Sequence, residues 1–193
     1  DALVDGAAAD FANVEEVNNL VSVLPEIDIL INNVGVYGGQ PFETTGDDVW
    51  LHDFEVNVLS GVRLSRHYAP IMKARNWGRI IFISSESAVN IPEDMILYGV
   101  TKTAYLALSR GLAKHLKGTN VTVNAILPGP TLAEGTDKMF EDISKEKGIQ
   151  KIILHAREVA LPFYRQLGYQ LDAPSHLLFG EIQHYLMQKT LTA

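Results

Sequence analysis

"IDILINN", residues 27–33, is an apolar run of strand length closed by two asparagines. It does not alternate between apolar and polar, which suits a strand buried on both faces of a parallel sheet. Two stretches of the same kind follow, "RIIFISS" at 79–85 and "VTVNAIL" at 121–127, the last stopped by Pro128, Gly129 and Pro130. Longer segments of helical period separate them. From Asp47 to about Ala74 the apolar residues Val49, Trp50, Phe54, Val58, Val62, Leu64, Tyr68, Ile71 and Met72 recur at helical spacing, and 98–117 carries Ala104, Leu106, Leu108, Leu112 and Leu116. Upstream, "VNNLVSVLP" reads as the end of an amphipathic helix, with Asn13 and Glu16 at capping-box spacing. Strands alternating with helices predict βαβ units and a layered α/β sheet. Right-handed crossovers then bring the strand ends to one edge, where such sheets bind ligands. Asn33, Ser85 and Pro128 fall at those ends.

Composition narrows the partners. The chain has 193 residues, 47% apolar, with a net charge of −7. An acidic balance argues against nucleic acid or anionic membrane as the main partner. The absence of cysteine excludes disulfides and thiolate metal sites, and a cytoplasmic location fits. No apolar run approaches the ~20 residues of a membrane span. The six histidines (52, 67, 115, 155, 176, 184) show no ligand spacing, so no metal site is expected. Glu43, Asp47 and Asp48 read as solvated charges at a helix start.

"YGVTK", 98–102, sets Tyr98 and Lys102 four residues apart, on one face of a helix. A phenol of ordinary pKa about 10 is a poor acid or base near neutrality, and a neighbouring ammonium lowers that value. The pair alone is a common accident of sequence. Ser85, at a strand end, is placed to hold a substrate oxygen beside the phenol. Asn57 interrupts an apolar helix where asparagine has poor propensity; it reads as a kink, a satisfied core amide, or a holder of water near the lysine.

"INNVG" (31–35), "NVLSG" (57–61), "RIIFISS" (79–85), "YGVTK" (98–102) and "NAILPGPT" (124–131) together resemble the short-chain dehydrogenase/reductase family, in order and at its spacing. The resemblance covers about residues 1–135. It implies a partial Rossmann-like, doubly wound parallel sheet and hydride transfer between NAD or NADP and a small-molecule carbonyl or alcohol. It also implies roles: Tyr98 as general acid/base, Lys102 lowering its pKa and holding the nicotinamide ribose, Ser85 positioning the carbonyl, Asn57 supporting a water relay. Asn33, Val34 and Gly35 would line the cofactor, Asp10 of "AADF" would approach the adenine, and Pro128, Gly129 and Thr131 would contact the nicotinamide end. In the family, helices corresponding to 47–74 and 98–117 form a dimer interface, so a homo-oligomer is expected, with Trp50 and Phe54 in the core or the interface.

The family's Thr-Gly-x-x-x-Gly-x-Gly turn, which sets a helix N-terminus against the pyrophosphate, has no match in the chain. "VGVYGG" (34–39) reads as an ordinary loop. Two strands and two helices are thus expected upstream of Asp1, or are missing, and the residue that separates NAD from NADP goes with them. Residues 136–148 read as a linker or a remnant of a substrate loop. "HAREVALPFYRQLGYQL" (155–171) resembles the C-terminal part of the GCN5-related N-acetyltransferase family through Ala156, Ala160, Phe163, Tyr164, Leu167, Gly168 and Tyr169, with His184 and Met187 further on. That covers 149–193 only and implies an added strand–helix–strand piece. Tyr164 could protonate a departing thiolate there, but reads better as a packed aromatic. Three readings follow: a reductase, inactive if the cofactor loop is lacking; an acetyltransferase remnant; and a non-catalytic truncated or chimeric chain.

Overall fold

The computed structural model describes residues 5–129, 148–178 and 181–190. Thr131 and all of the 136–148 segment except Gly148 lie outside them. The chain divides into two compact units, Asp1–Pro130 and Thr131–Ala193.

The first unit opens with helix α1, Val14–Val23. Asn13 caps it, its Oδ1 accepting from the Glu15 and Glu16 amides at 2.9 and 3.5 Å. Glu16 completes a variant of the capping box by accepting from Asn13 Nδ2 at 3.2 Å and from the Asp10 amide at 2.7 Å. Strand β1 is Ile29–Asn32. Helix α2, Asp47–Phe54, runs through a π-turn at Glu55–Leu59 into α3, Ser60–Ala74. Strand β2 (Gly78–Ile83), helix α4 (Ile96–His115) and strand β3 (Val121–Ile126) complete the unit.

The sheet is parallel, in the order β1-β2-β3, with Ile31 opposite Ile81 and Ile81 opposite Asn124. Leu30, Ile80, Phe82, Val121 and Val123 point to one face and are buried with Tyr68, Met72, Tyr105 and Leu116 from α3, α4 and the residue after α4. The opposite face differs from expectation. Ile29 and Ile31 are 53% and 57% exposed, and Ile126, on β3, is exposed as well. "IDILINN" is therefore buried on one face only, because the described helices α1, α3 and α4 all pack on the Leu30 side. A continuous apolar run could not reveal this: it reports what a strand can tolerate on both faces, not what packs there.

The second unit holds an antiparallel sheet ordered β4-β6-β5, formed by Lys151–Arg157, Ile182–Thr190 and Gln170–Leu178. Helix α5, Leu161–Gln166, lies between β4 and β5 in sequence and packs Leu161 with Ala156 and Met187. Strand, helix and two strands follow the expected order.

Candidate active site

Three chain segments meet at the carboxyl ends of the parallel strands. Just past β2, the Ser84 amide donates to Ile126 O at 2.8 Å and the Glu86 amide to Pro128 O at 3.0 Å. These bonds carry the parallel pairing one step beyond the sheet and lay Pro128 and Gly129 beside Ser85. Gly129 permits a close approach: a Cβ there would lie 3.1 Å from Glu86 Oε2. Ser84 Oγ donates to Lys102 O at 2.8 Å, tying the strand end to α4.

Tyr98 and Lys102 stand on the first turns of α4. Ser85 stands near enough to the Tyr98 phenol to act on its pKa, while its Oγ accepts from the Ser87 amide at 3.1 Å. Burial pushes the phenol above its ordinary value, the Ser85 hydroxyl opposes this, and the nearby Tyr37 phenol adds to the rise. Lys102 is 5% exposed, and its Nζ donates to Ile83 O at 3.0 Å. Burial pushes its pKa down. The ammonium sits 5.5 Å from the centroid of the Tyr98 ring and 5.4 Å from that of Tyr105. The expected lowering of Tyr98 by Lys102 is not realised in this geometry: desolvation dominates, and the ammonium turns toward a backbone carbonyl.

Asn57 is fully buried within the π-turn. Its Oδ1 accepts from the Val36 amide at 2.7 Å, and its Nδ2 donates to Val36 O at 2.9 Å and to Thr101 Oγ1 at 3.1 Å. Asparagine here is a satisfied core amide and marks a helix irregularity, two of the roles its position in an apolar helix suggests. Both Nδ2 protons are committed to protein, so a relay through this side chain has only an Oδ1 lone pair to offer. Gly35 is drawn against the same groups: a Cβ on it would lie 3.2 Å from Asn57 Oδ1 and 3.4 Å from Lys102 Nζ.

The structure thus brings together Asn57, Gly35, Ser85, Tyr98, Lys102, Pro128 and Gly129 through Val36, Ser84 and Glu86. Asn33 and Val34 lie on the same turn, Asn33 exposed and Val34 half-buried. Asp10 belongs to a different place: its Oδ1 accepts from the Ala12 amide at 2.9 Å in the turn before α1. Arg63 ties that turn to α3 through Phe11 O at 3.0 Å, while also pairing with Glu55. Thr131 is outside the described residues. Three neighbours escaped sequence reading. Thr101 joins Asn57 to α4, Glu86 flanks Gly129, and Tyr37 meets Tyr98 edge-on at 6.3 Å while 67% exposed. Only Thr101 had a signal, a hydroxyl three residues after Tyr98 and directly before Lys102.

The parallel sheet thus carries a serine, a tyrosine and a buried lysine together at its carboxyl edge. The family model "short chain dehydrogenase" matches residues 2–144, and the chain belongs to that family. It is 47% identical over 148 residues to the uncharacterised oxidoreductase YvrD of Bacillus subtilis (strain 168), covering 75% of this chain and 56% of that one. It is 35% identical to the 7alpha-hydroxysteroid dehydrogenase of Escherichia coli (strain K12), covering 90% and 60%. Among solved structures, NAD+-bound xylitol dehydrogenase superposes with a TM-score of 0.62 at 28% identity, covering 71% and 55%. The chain spans a little over half the length of these relatives.

Proposed function

We propose that the chain carries the proton-transfer site of an NAD- or NADP-dependent oxidoreductase acting on a small carbonyl or alcohol. The observation that carries this is the juxtaposition of the Tyr98 phenol with Ser85 just past β2, with Lys102 buried one helical turn further on. Names among the relatives and neighbours, a hydroxysteroid dehydrogenase and an NAD+-bound xylitol dehydrogenase, support the same reaction class.

The residues suit the nicotinamide-ribose half of a dinucleotide. At Gly35 backbone comes against Lys102 Nζ where a Cβ would be crowded, and a buried ammonium with one carbonyl partner can turn to ribose hydroxyls. Lys102, Gly35, Pro128 and Gly129 would hold that half, with Val34, Asn33 and Thr131 beside it; Asp10 is assigned to the adenine end. The dinucleotide, when bound, supplies the hydride. Ser85 Oγ and Tyr98 Oη bind the substrate oxygen between them, and the Tyr98 hydroxyl gives its proton to that oxygen as reduction proceeds. Burial keeps the phenol protonated at neutral pH, and the proton leaves only as negative charge develops on the substrate oxygen. Lys102 stands behind the phenol and returns charge compensation once phenolate forms. Asn57 fixes the turn that carries Gly35. Exposed Leu51 and Phe54 on α2 support a homo-oligomer through 47–74 and 98–117. No helix among the described residues is long and apolar enough to cross a membrane, and the reading places the work in the cytoplasm.

For 149–193 a second reading, an acetyltransferase-like segment in a chimeric chain, draws on the strand–helix–strand order and on Tyr164 packed edge-on between Phe163 and Tyr169. None of the proteins named above is an acetyltransferase. The steroid dehydrogenase aligns across 90% of the chain, which favours one oxidoreductase lineage into the tail.

The test is oxidation of NADH and NADPH by the full chain with a panel of ketones and aldehydes. Turnover that Tyr98→Phe lowers by about a thousandfold, without unfolding, supports the site. Turnover that survives Tyr98→Phe, or none with any pair, counts against it.

A further inference from the structure

Thr101 is the hinge-pin between two parts of the site. It is 0% exposed, and its hydroxyl donates to Tyr98 O at 2.8 Å. A carbonyl can only accept, so the single hydroxyl proton is committed there. Toward Asn57 the oxygen can then only accept, and Asn57 presents an Nδ2 proton to it at 3.1 Å. The other Nδ2 proton goes to Val36 O, and Oδ1 takes the Val36 amide proton. Three segments converge on one amide: the turn after β1, the π-turn and the first turns of α4.

We propose that Thr101 is a positioning residue for the reaction: through Asn57 it holds the Val34–Val36 turn in register with Tyr98 and Lys102. This rests on the oxidoreductase reading. Without the Thr101 oxygen, one Nδ2 proton of the fully buried Asn57 has no partner, and such a group seeks another. The amide then rotates or draws away from Val36, and Gly35 loses its fixed distance to Lys102 Nζ. A threonine whose hydroxyl served only its own helix, through the bond to Tyr98 O, would leave Val36 untouched when replaced.

Hydrogen exchange on the 193-residue chain, read by NMR, separates the two roles. In the unaltered chain the Val36 amide and the Asn57 Nδ2 protons exchange slowly. In Thr101→Val, which keeps the shape and removes the hydroxyl, Val36 exchanges about tenfold faster while Ile80 and Phe82 do not change. Thr101→Ser restores the slow rate. Equal Val36 rates in Thr101→Val and the unaltered chain overturn the proposal. So does free exchange of the Asn57 Nδ2 protons in the unaltered chain, a measurement that stands even if Thr101→Val does not fold. In turnover, Thr101→Val lowers kcat with the KM for the carbonyl unchanged, and Thr101→Ser recovers it; a rise in KM alone contradicts the role. Absence of turnover in the unaltered chain counts against the oxidoreductase reading, while the exchange rates still decide Thr101.

Discussion

Lys102 donates its ammonium to the backbone carbonyl of Ile83 at 3.0 Å, and no carboxylate neutralises it among the described ion pairs. A buried charge held by a carbonyl is costly to fold, which is why burial depresses its pKa. Sites that keep such a group trade stability for chemistry. Lys102→Met, similar in length and uncharged, is expected to raise stability by about 1 kcal/mol at neutral pH, since relief of desolvation outweighs one lost hydrogen bond. Turnover is expected to vanish. Urea midpoints of the two chains check this, and a clear drop in the variant would show the lysine to be a structural support instead.

Gly61 marks a close approach of α3 to the sheet and α4. A Cβ there would lie 2.8 Å from the Tyr105 hydroxyl and 3.1 Å from Phe82 Cε1, two fully buried rings that cannot move aside. Gly61→Ala should cost about 1–3 kcal/mol by overpacking. Gly111→Ala, on the exposed side of α4 with nothing within 4 Å, should stabilise by about 1 kcal/mol through helix propensity. Denaturation midpoints moving in opposite directions bear this out; two shifts of the same sign do not.

Alkaline pH loads the same core. Burial raises the phenols of Tyr68, Tyr98 and Tyr105. A phenol whose folded pKa exceeds its unfolded value of about 10 contributes stability that is complete below 10 and lost as pH climbs through the folded value. Lys102 acts oppositely, binding fewer protons folded than unfolded, so its share rises with pH until about 10.4. Three phenols outweigh one lysine above that point. Melting temperatures should hold or rise gently to about pH 10 and then fall, with a shallower fall in Tyr105→Phe. A melting temperature still climbing beyond about pH 10.5 would contradict the assignment.

Sequence revealed the strands, their parallel order of use and the residues at their ends, because apolar runs, prolines and cap residues act locally. The Asn13–Glu16 cap and the one-turn spacing of Tyr98 and Lys102 were legible for the same reason. What was not legible depends on three-dimensional company. The bare side of Ile29 and Ile31 reflects which helices pack on the sheet. The turn of Lys102 toward Ile83, instead of toward the Tyr98 oxygen, is set by a carbonyl 19 residues away in sequence. Thr101 and Tyr37 enter the site only once α4 and the turn after β1 are side by side. Asn32 remains without explanation: it is buried, and neither polar atom of its side chain has a partner among the described residues.

The most direct test of the site is a thermal melt of the full chain, alone and with saturating NADH or NADPH. A chain that binds the nicotinamide end through Lys102 and Gly35 shows one cooperative transition that moves up with dinucleotide, by about 2.7 kcal/mol of added stability at a hundredfold excess over Kd. In Lys102→Met the shift disappears while the transition itself remains. A cooperative melt that neither dinucleotide moves would contradict the account.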